Sequence, residues 1–322
     1  MEKASVQGVL RCFLTVLIVA LLSLSAVAPS WAGGAQHYPN GVEDFVVGAL
    51  PPPGAYLVNY LLFIQKNELK DNSGDKVPVE FSADVIAEVP RFIYVSPYTL
   101  FGASWGAHLF LPMYSADLEV GTSEATPKNI VDSDEMGIGD IIFSPLILGW
   151  HFSPNFHMVF ALDIWAPTGN YDKNKPATQI LSKNLWTFEP VLAVTYLWKG
   201  FDFSGKFMYD FNTTNNDFVD GAGNTVDLDP GQEFHFDWAL GYAAKNGLRG
   251  GLVGYNYWQT TDDEVDGNDV KDNRSRVGGI GVGIKYWPKQ GPFSMTLKQY
   301  WEYGARNIAT GPQTQFKIAY AF

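Results

Sequence analysis

The stretch Glu233-Phe234-His235-Phe236-Asp237-Trp238-Ala239-Leu240-Gly241-Tyr242 alternates without a break between a large apolar residue and a polar or small one. Successive side chains of a β-strand point to opposite faces, so a period of two over ten residues describes a strand with one apolar and one polar face. The pattern recurs. Phe201, Phe203, Phe207, Tyr209 and Phe211 alternate with Asp202, Ser204, Lys206, Asp210 and Asn212, and Phe81, Ala83, Val85, Ala87 and Val89 with Glu80, Ser82, Asp84 and Glu88. Trp186, Phe188, Leu192, Val194, Tyr196 and Trp198 share one face, and Ile280, Val282, Ile284 and Tyr286 alternate with glycines and Lys285. A water-soluble sandwich alternates too, usually with smaller aliphatics and more charge on its outer face. Here the apolar faces are rich in rings, and Trp150, Trp165, Trp186, Trp198, Trp258 and Trp287 fall near strand ends, as in the aromatic girdles of a membrane barrel.

Composition agrees. Aromatic residues make up 15% of the 322 residues and charged ones only 17%, below the quarter usual in soluble domains. Mean hydropathy is close to zero, too polar for a bundle of membrane helices. The net charge of −12, from 22 basic and 34 acidic residues, leaves no basic face for nucleic acid. Together these numbers describe an all-β, transmembrane, up-and-down antiparallel barrel.

Lys3 and Arg11 bracket a positive region, Cys12 to Leu24 form an apolar run, and Ser30-Trp31-Ala32 precedes Gly33 with small residues at −3 and −1. This predicts a secretory signal peptide over residues 1–32, with Ala28 as the second-choice site. The one cysteine, Cys12, would leave with it, which removes disulfides, thiol nucleophiles and cysteine–zinc sites from consideration. Export of such a chain fits a Gram-negative bacterial envelope.

Residues 54–322 divide into twelve expected strands, near 55–69, 77–94, 98–119, 138–152, 155–168, 185–198, 201–212, 231–244, 248–261, 275–287, 292–306 and 312–322, with ten or fourteen as alternatives. Pro145 lies inside the fourth and predicts a bulge. Ser96-Pro97, Ser153-Pro154, Lys199-Gly200, Lys245-Asn246-Gly247 and Pro288 to Gly291 read as tight turns; Lys70 to Lys76, Val120 to Glu135, Asn170 to Asn184, Asn215 to Pro230 and Asp262 to Arg274 read as long polar loops. Short turns at one end and long loops at the other are the habit of outer-membrane barrels, and an even count puts both termini in the periplasm.

The last residues add a signal of their own. Phe316, Ile318, Tyr320 and the terminal Phe322 alternate with Lys317, Ala319 and Ala321, which resembles the C-terminal signal read by the barrel assembly machinery. Residues 33–53 are too apolar for a free tail, with Phe45, Val46, Val47, Ala49 and Leu50 before Pro51-Pro52-Pro53-Gly54; they are expected to fold into the lumen as a short plug. A twelve-stranded barrel is too wide for side chains alone to fill. The polar strand faces assign Glu80, Asp84, Glu88, Asp163, Asp202, Lys206, Asp210, Asp237 and Lys298 to the lumen and substrate path, with Lys285 and Lys317 as further counter-charges. Such an acidic lumen disfavours anions.

Other chemistries are weaker. Asp262, Glu264, Asp266 and Gly267 resemble the start of a calcium loop, but Asn273 stands where a bidentate Glu is required. His235 and Asp237 share a face and could form an acid–base pair, yet no serine completes a nucleophilic set. Gly279, Gly281 and Gly283 lie on a strand, which excludes a phosphate loop. No catalytic, metal or cofactor residue is assigned, and no cofactor is expected.

The mature start, Tyr38-Pro39-Asn40-Gly41-Val42-Glu43-Asp44-Phe45, continues to Gly48-Ala49-Leu50-Pro51-Pro52-Pro53-Gly54-Ala55-Tyr56. With Gly137-Ile138-Gly139-Asp140-Ile141, Ser144-Pro145-Leu146, Pro167-Thr168-Gly169-Asn170-Tyr171-Asp172 and Gly254 to Asp263, this set resembles the outer-membrane family named for the meta-pathway of phenol degradation. The resemblance spans nearly all of the mature chain and implies a transporter that accompanies catabolism of aromatic or other hydrophobic compounds. The expected function is therefore an outer-membrane channel for small hydrophobic, including aromatic, compounds; an outer-membrane barrel enzyme and an adhesion or structural barrel are the alternatives. Expected partners are outer-membrane lipid and lipopolysaccharide, the assembly machinery and a hydrophobic small molecule, with the barrel a monomer.

Overall fold

The computed structural model describes residues 36–121, 129–220, 223–288 and 291–322. The signal peptide expected over residues 1–32 lies outside the described residues. In chain order the elements are β1 (Gly54–Lys66), β2 (Glu68–Lys70), β3 (Phe81–Leu100), β4 (Ala103–Phe110), β5 (Met113–Gly121), β6 (Asn129–Ile138), β7 (Ile141–Ser153) and β8 (Phe156–Ala166). A one-turn helix α1 (Thr178–Leu181) follows, then β9 (Thr187–Trp198), β10 (Phe201–Asn212), β11 (Asn215–Val219), β12 (Thr225–Asp229), β13 (Glu233–Ala243) and β14 (Leu248–Gln259). The chain ends with β15 (Asp263–Val265), β16 (Asn268–Val270), β17 (Arg276–Tyr286), β18 (Phe293–Arg306), β19 (Ile308–Thr310) and β20 (Gln313–Ala321).

The wall of the barrel has twelve strands. β4 and β5 are one wall strand interrupted at Leu111-Pro112, because both pair with the long β3, and β6 and β7 are another interrupted at Gly139-Asp140. Neighbours pair antiparallel around the ring, and β1 closes it against β20 with Tyr56 opposite Ala321. Closure leaves no strand edge in lipid, where an unpaired backbone group has no water to bond. The hydrogen bond from Phe322 N to Ala55 O seals the end of the seam.

The tight turns follow from residues that tolerate positive φ. Lys199 and Gly200 adopt φ 49° and 90°, matching the strand twist as a two-residue hairpin should. Ser96-Pro97 is not a turn. β3 runs through it to Leu100, and the chain reverses at Phe101-Gly102, with φ 51° and 71°. The pairing of β3 with β4 is irregular between Val95 and Thr99, so the missing proline N–H is not needed there. Around Pro145 the pairing with β8 shifts between Phe143 and Ile147, which is the expected bulge.

The loops hold more structure than their polarity suggests. Residues 129–135, expected as part of the loop from Val120 to Glu135, belong to β6, which extends the fourth wall strand and pairs with β5. β11, β12, β15 and β16 form a separate four-stranded sheet from two of the long loops, and β2 pairs with β19.

The first expectation to fail is on β3. Glu80, Asp84 and Glu88 are exposed, while Ala83, Val85, Ala87 and Val89 face inward. The outward neighbours Ser115, Asp117 and Glu119 on β5 and Asp132 and Asp134 on β6 are exposed and polar as well. An outer face this acidic does not suit hydrocarbon, so this part of the wall reads as projecting beyond it into water, and the polar-inside rule inverts there. A second failure is Trp165, expected in a girdle. It is buried in the lumen, whereas Trp186, Trp198, Trp258 and Trp287 are exposed on the outer surface.

Candidate functional site

The lumen is occupied by the segment that precedes β1. Residues 36–53 precede β1 at the short-turn end, and their buried positions include Tyr38, Asn40, Val42, Glu43, Asp44 and Phe45. Asp237 of β13 holds the first turn of this segment: it accepts from Tyr38 Oη (2.7 Å), Gly41 N (2.8 Å) and Glu43 N (3.1 Å). Lys298 Nζ of β18 donates from the other wall to the carbonyls of Gly41 (2.5 Å) and Val42 (2.7 Å). Gly41 has φ 84°, and a Cβ there would sit 2.8 Å from the Tyr255 ring, so both backbone and space require glycine. Gly48 meets the same limit, since its Cβ would fall 2.5 Å from backbone atoms of Val194 and Thr195. Further along, Phe45 is buried against Val253 and Tyr255.

Charge fixes the middle of the segment. Glu43 accepts from Tyr60 Oη and Arg91 Nη1, each at 3.0 Å, and pairs with Lys317 at 3.2 Å. Asp44 lies 2.5 Å from Lys317 Nζ, with Lys298 and Lys285 at 3.7 and 3.8 Å. Burial alone would raise both carboxyls, but these cations outweigh it and hold Glu43 and Asp44 below the ordinary carboxylate range. His37 stacks on Trp165 with ring centroids 5.1 Å apart, and its Nε2 is 3.2 Å from Asp140. Its burial lowers the imidazole pKa, and Asp140 offsets this only in part.

Asp140 explains why several short motifs occur together. Its carboxylate also accepts from Gly169 N, Ser182 Oγ and Lys183 N, and Asn170 is hydrogen-bonded to Ile138 through both its backbone N–H and its side-chain oxygen. The Gly139-Asp140 and Gly169-Asn170 stretches thus patch the wall where β6 gives way to β7.

Of the residues assigned to the lumen, Asp163, Asp202, Lys206, Asp210, Asp237 and Lys298 are buried inside it. Asp202 pairs with Arg249 at 2.6 Å, and Asp163 with His108 at 3.1 Å. The envisaged acid–base pair does not form, because His235 bonds Asp210 (3.1 Å) while Asp237 is committed to the N-terminal segment. Nor is there a calcium loop: Asp262 pairs with Arg274, and Asp266, at the β15–β16 turn, accepts from Asp227 N of β12. The outer faces of Phe316, Ile318, Tyr320 and Phe322 run down β20 to the short-turn end.

Glu43, Asp44, Arg91, His108, Glu189 and Tyr60 complete the interior and were not singled out from the sequence. Arg91 and Tyr60 lie on strands whose alternation reads as aliphatic, and only the unusual Glu43-Asp44 pair within an apolar segment pointed to buried counter-charges.

Between the N-terminal segment and the wall lies a small cavity of about 30 Å³. Tyr38, Pro39 and Val42 form one side; Tyr60, Leu62, Val89, Phe110, Tyr114, Ile142 and Trp165 form the other. Lys206, Asp163 and Glu43 are its charged groups. The gap is narrow, with room for about two waters, and its lining is apolar with few polar anchors.

A closed up-and-down barrel with a ringed, lipid-facing surface belongs to the class of outer-membrane β-barrels. An outer-membrane channel from Pseudomonas putida has the same fold: TM-score 0.73 at 17% identity, covering 89% of this chain and all of that one. The β domain of a Bordetella autotransporter (TM-score 0.48, 10% identity, 84% and 100% coverage) and a toluene transporter from Pseudomonas putida (0.45, 10%, 84% and 90%) are more distant. Residues 66–318 match the family described as the putative MetA-pathway of phenol degradation, and the chain belongs to that family. No curated protein matches it.

Proposed function

We propose that this chain is an outer-membrane channel for small hydrophobic compounds, aromatic ones included, and that its N-terminal segment plugs the lumen. The apolar lining of the narrow gap between plug and wall carries this reading, because a water-filled general pore would be lined by polar groups at that depth. The family's description, which ties it to phenol degradation, agrees with an aromatic permeant. The buried carboxylates around the path favour neutral or cationic solutes over anions.

The test compares the intact barrel with one lacking residues 33–53, in planar bilayers and in uptake of a neutral aromatic solute. Small, intermittent conductance in the intact protein and a large, steady conductance after the deletion are expected, with aromatic uptake by the intact form. Large unselective conductance in the intact barrel, unchanged by the deletion, overturns the proposal.

A further inference from the structure

Three neighbouring strands bring a mixed ligand set to one point of the lumen, beside the cavity, with Tyr38 and Trp165 shared between the two. Glu189 on β9, Asp210 on β10 and His235 on β13 are all at least 99% buried, and their nearest ligand atoms lie within 4.8 Å of one another. His235 Nε2 is 3.1 Å from Asp210 Oδ2 and 3.9 Å from Glu189 Oε2. Ligands bonded to one ion at 2.0–2.2 Å stand roughly 3.3–3.5 Å apart in a tetrahedron. The two distances from His235 differ from that by tenths of an ångström, and the two carboxylates lie within 4.8 Å of each other.

A second observation sets this cluster apart from ordinary buried acids. Glu189 Oε1 and Asp210 Oδ1 receive no hydrogen bond from an N–H or hydroxyl donor although both side chains are enclosed, and the carboxyl groups of Glu189, Asp210 and Glu233 abut one another. A buried carboxylate oxygen without a donor is costly unless a cation or proton meets it. The nearest cationic side chain, Lys206, lies over the Tyr38 ring, 4.4 Å from its centroid. The surroundings are those of a held ligand set: the Trp165 indole N–H donates to Glu189 Oε2 at 3.3 Å, and the Tyr38 ring covers His235.

We propose that Glu189, Asp210 and His235 bind one divalent first-row transition ion, of which Zn²⁺ is the natural choice. The imidazole selects against Ca²⁺ and Mg²⁺, which prefer all-oxygen shells, and two carboxylates without a thiolate select against Cu⁺. Glu233, directly opposite Asp210 across the strand pair, stands ready as a further oxygen donor and also accepts the backbone N–H of Gln36. The ion would therefore sit where the N-terminal segment first meets the wall.

The mature chain is folded from urea into detergent with Co²⁺ as the probe, freed of excess metal, and read by visible absorption and bound-metal analysis. One equivalent of Co²⁺ with intense low-symmetry d–d bands, displaced by Zn²⁺, is expected, and His235→Gln and Glu189→Gln should abolish both bands and stoichiometry. Absence of stoichiometric metal in the folded protein, or equal binding by the two variants, overturns the proposal. Should the variants fail to fold, X-ray absorption of the Zn²⁺-loaded native chain decides: one imidazole in the shell supports the site, and an all-oxygen shell overturns it.

Discussion

Lys317 Nζ stands 2.5 Å from Asp44 Oδ2, joining the segment before the first strand to the last strand of the barrel. The two residues are 273 positions apart in the chain, yet one pair ties the lumenal segment to the closing strand.

Breaking a buried pair outright costs about 3–5 kcal/mol, and removing Asp44 costs less than that because Lys317 keeps Glu43 at 3.2 Å. Asp44→Ala should therefore lower the urea midpoint of the compact, heat-modifiable form and raise conductance through the loosened plug. Asp44→Ala combined with Lys317→Ala should lose less than the sum of the single changes, because the groups are in contact. Strict additivity would contradict the pairing.

Acid should weaken the docked segment in two stages. His37 has a lowered pKa when docked, so the free segment binds more protons and docking loses stability as pH falls below the ordinary value of about 6.5. Glu43 and Asp44 are held below their ordinary range, so their contribution is complete above about pH 4 and is lost as pH falls through the depressed values. Protease protection of residues 36–53, followed from pH 7 to pH 3, measures both stages. His37→Gln should remove the first stage and leave the second.

Filling the cavity should block the path without opening the plug. Val89 lines it from the wall, and Val89→Phe adds bulk at a packing cost of roughly 1–3 kcal/mol. Uptake of a neutral aromatic solute should fall several-fold at unchanged ion conductance. Unaltered uptake in a folded variant would place the path elsewhere.

Deleting Phe322 should reduce the amount of barrel assembled in the outer membrane. Its ring is 80% exposed, and its backbone N–H seals the closing seam at Ala55. Undiminished levels would show that the terminal ring is not read during assembly.

Much of the wall was legible because lipid imposes a strict alternation on β10, β13 and β17, and turns such as Lys199-Gly200 carry their own backbone chemistry. Legibility ended where the solvent changed. On β3 and β6 the outer face is acidic, so the same period of two was read with its faces reversed or taken for a loop. Trp165 misled for a related reason, since a ring at a strand end looks the same whether it meets lipid or His37. Lumenal identity was readable for Asp163, Asp210 and Asp237, but their partners were not. Those are set by how residues 36–50 thread the interior, and no local pattern encodes that.

The threading has a mechanical consequence. A ring of twelve strands joined edge to edge resists stretching around its girth but flattens easily, since hydrogen bonds between strands act as hinges. Residues 37–44 reach Thr187, Asp237, Lys298, Lys317 and Arg91, on five different wall strands, from a single strut. The segment is in that sense a set of spokes. It keeps the cross-section from collapsing under lateral membrane pressure, so whatever displaces it changes the shape of the tube as well as clearing its bore.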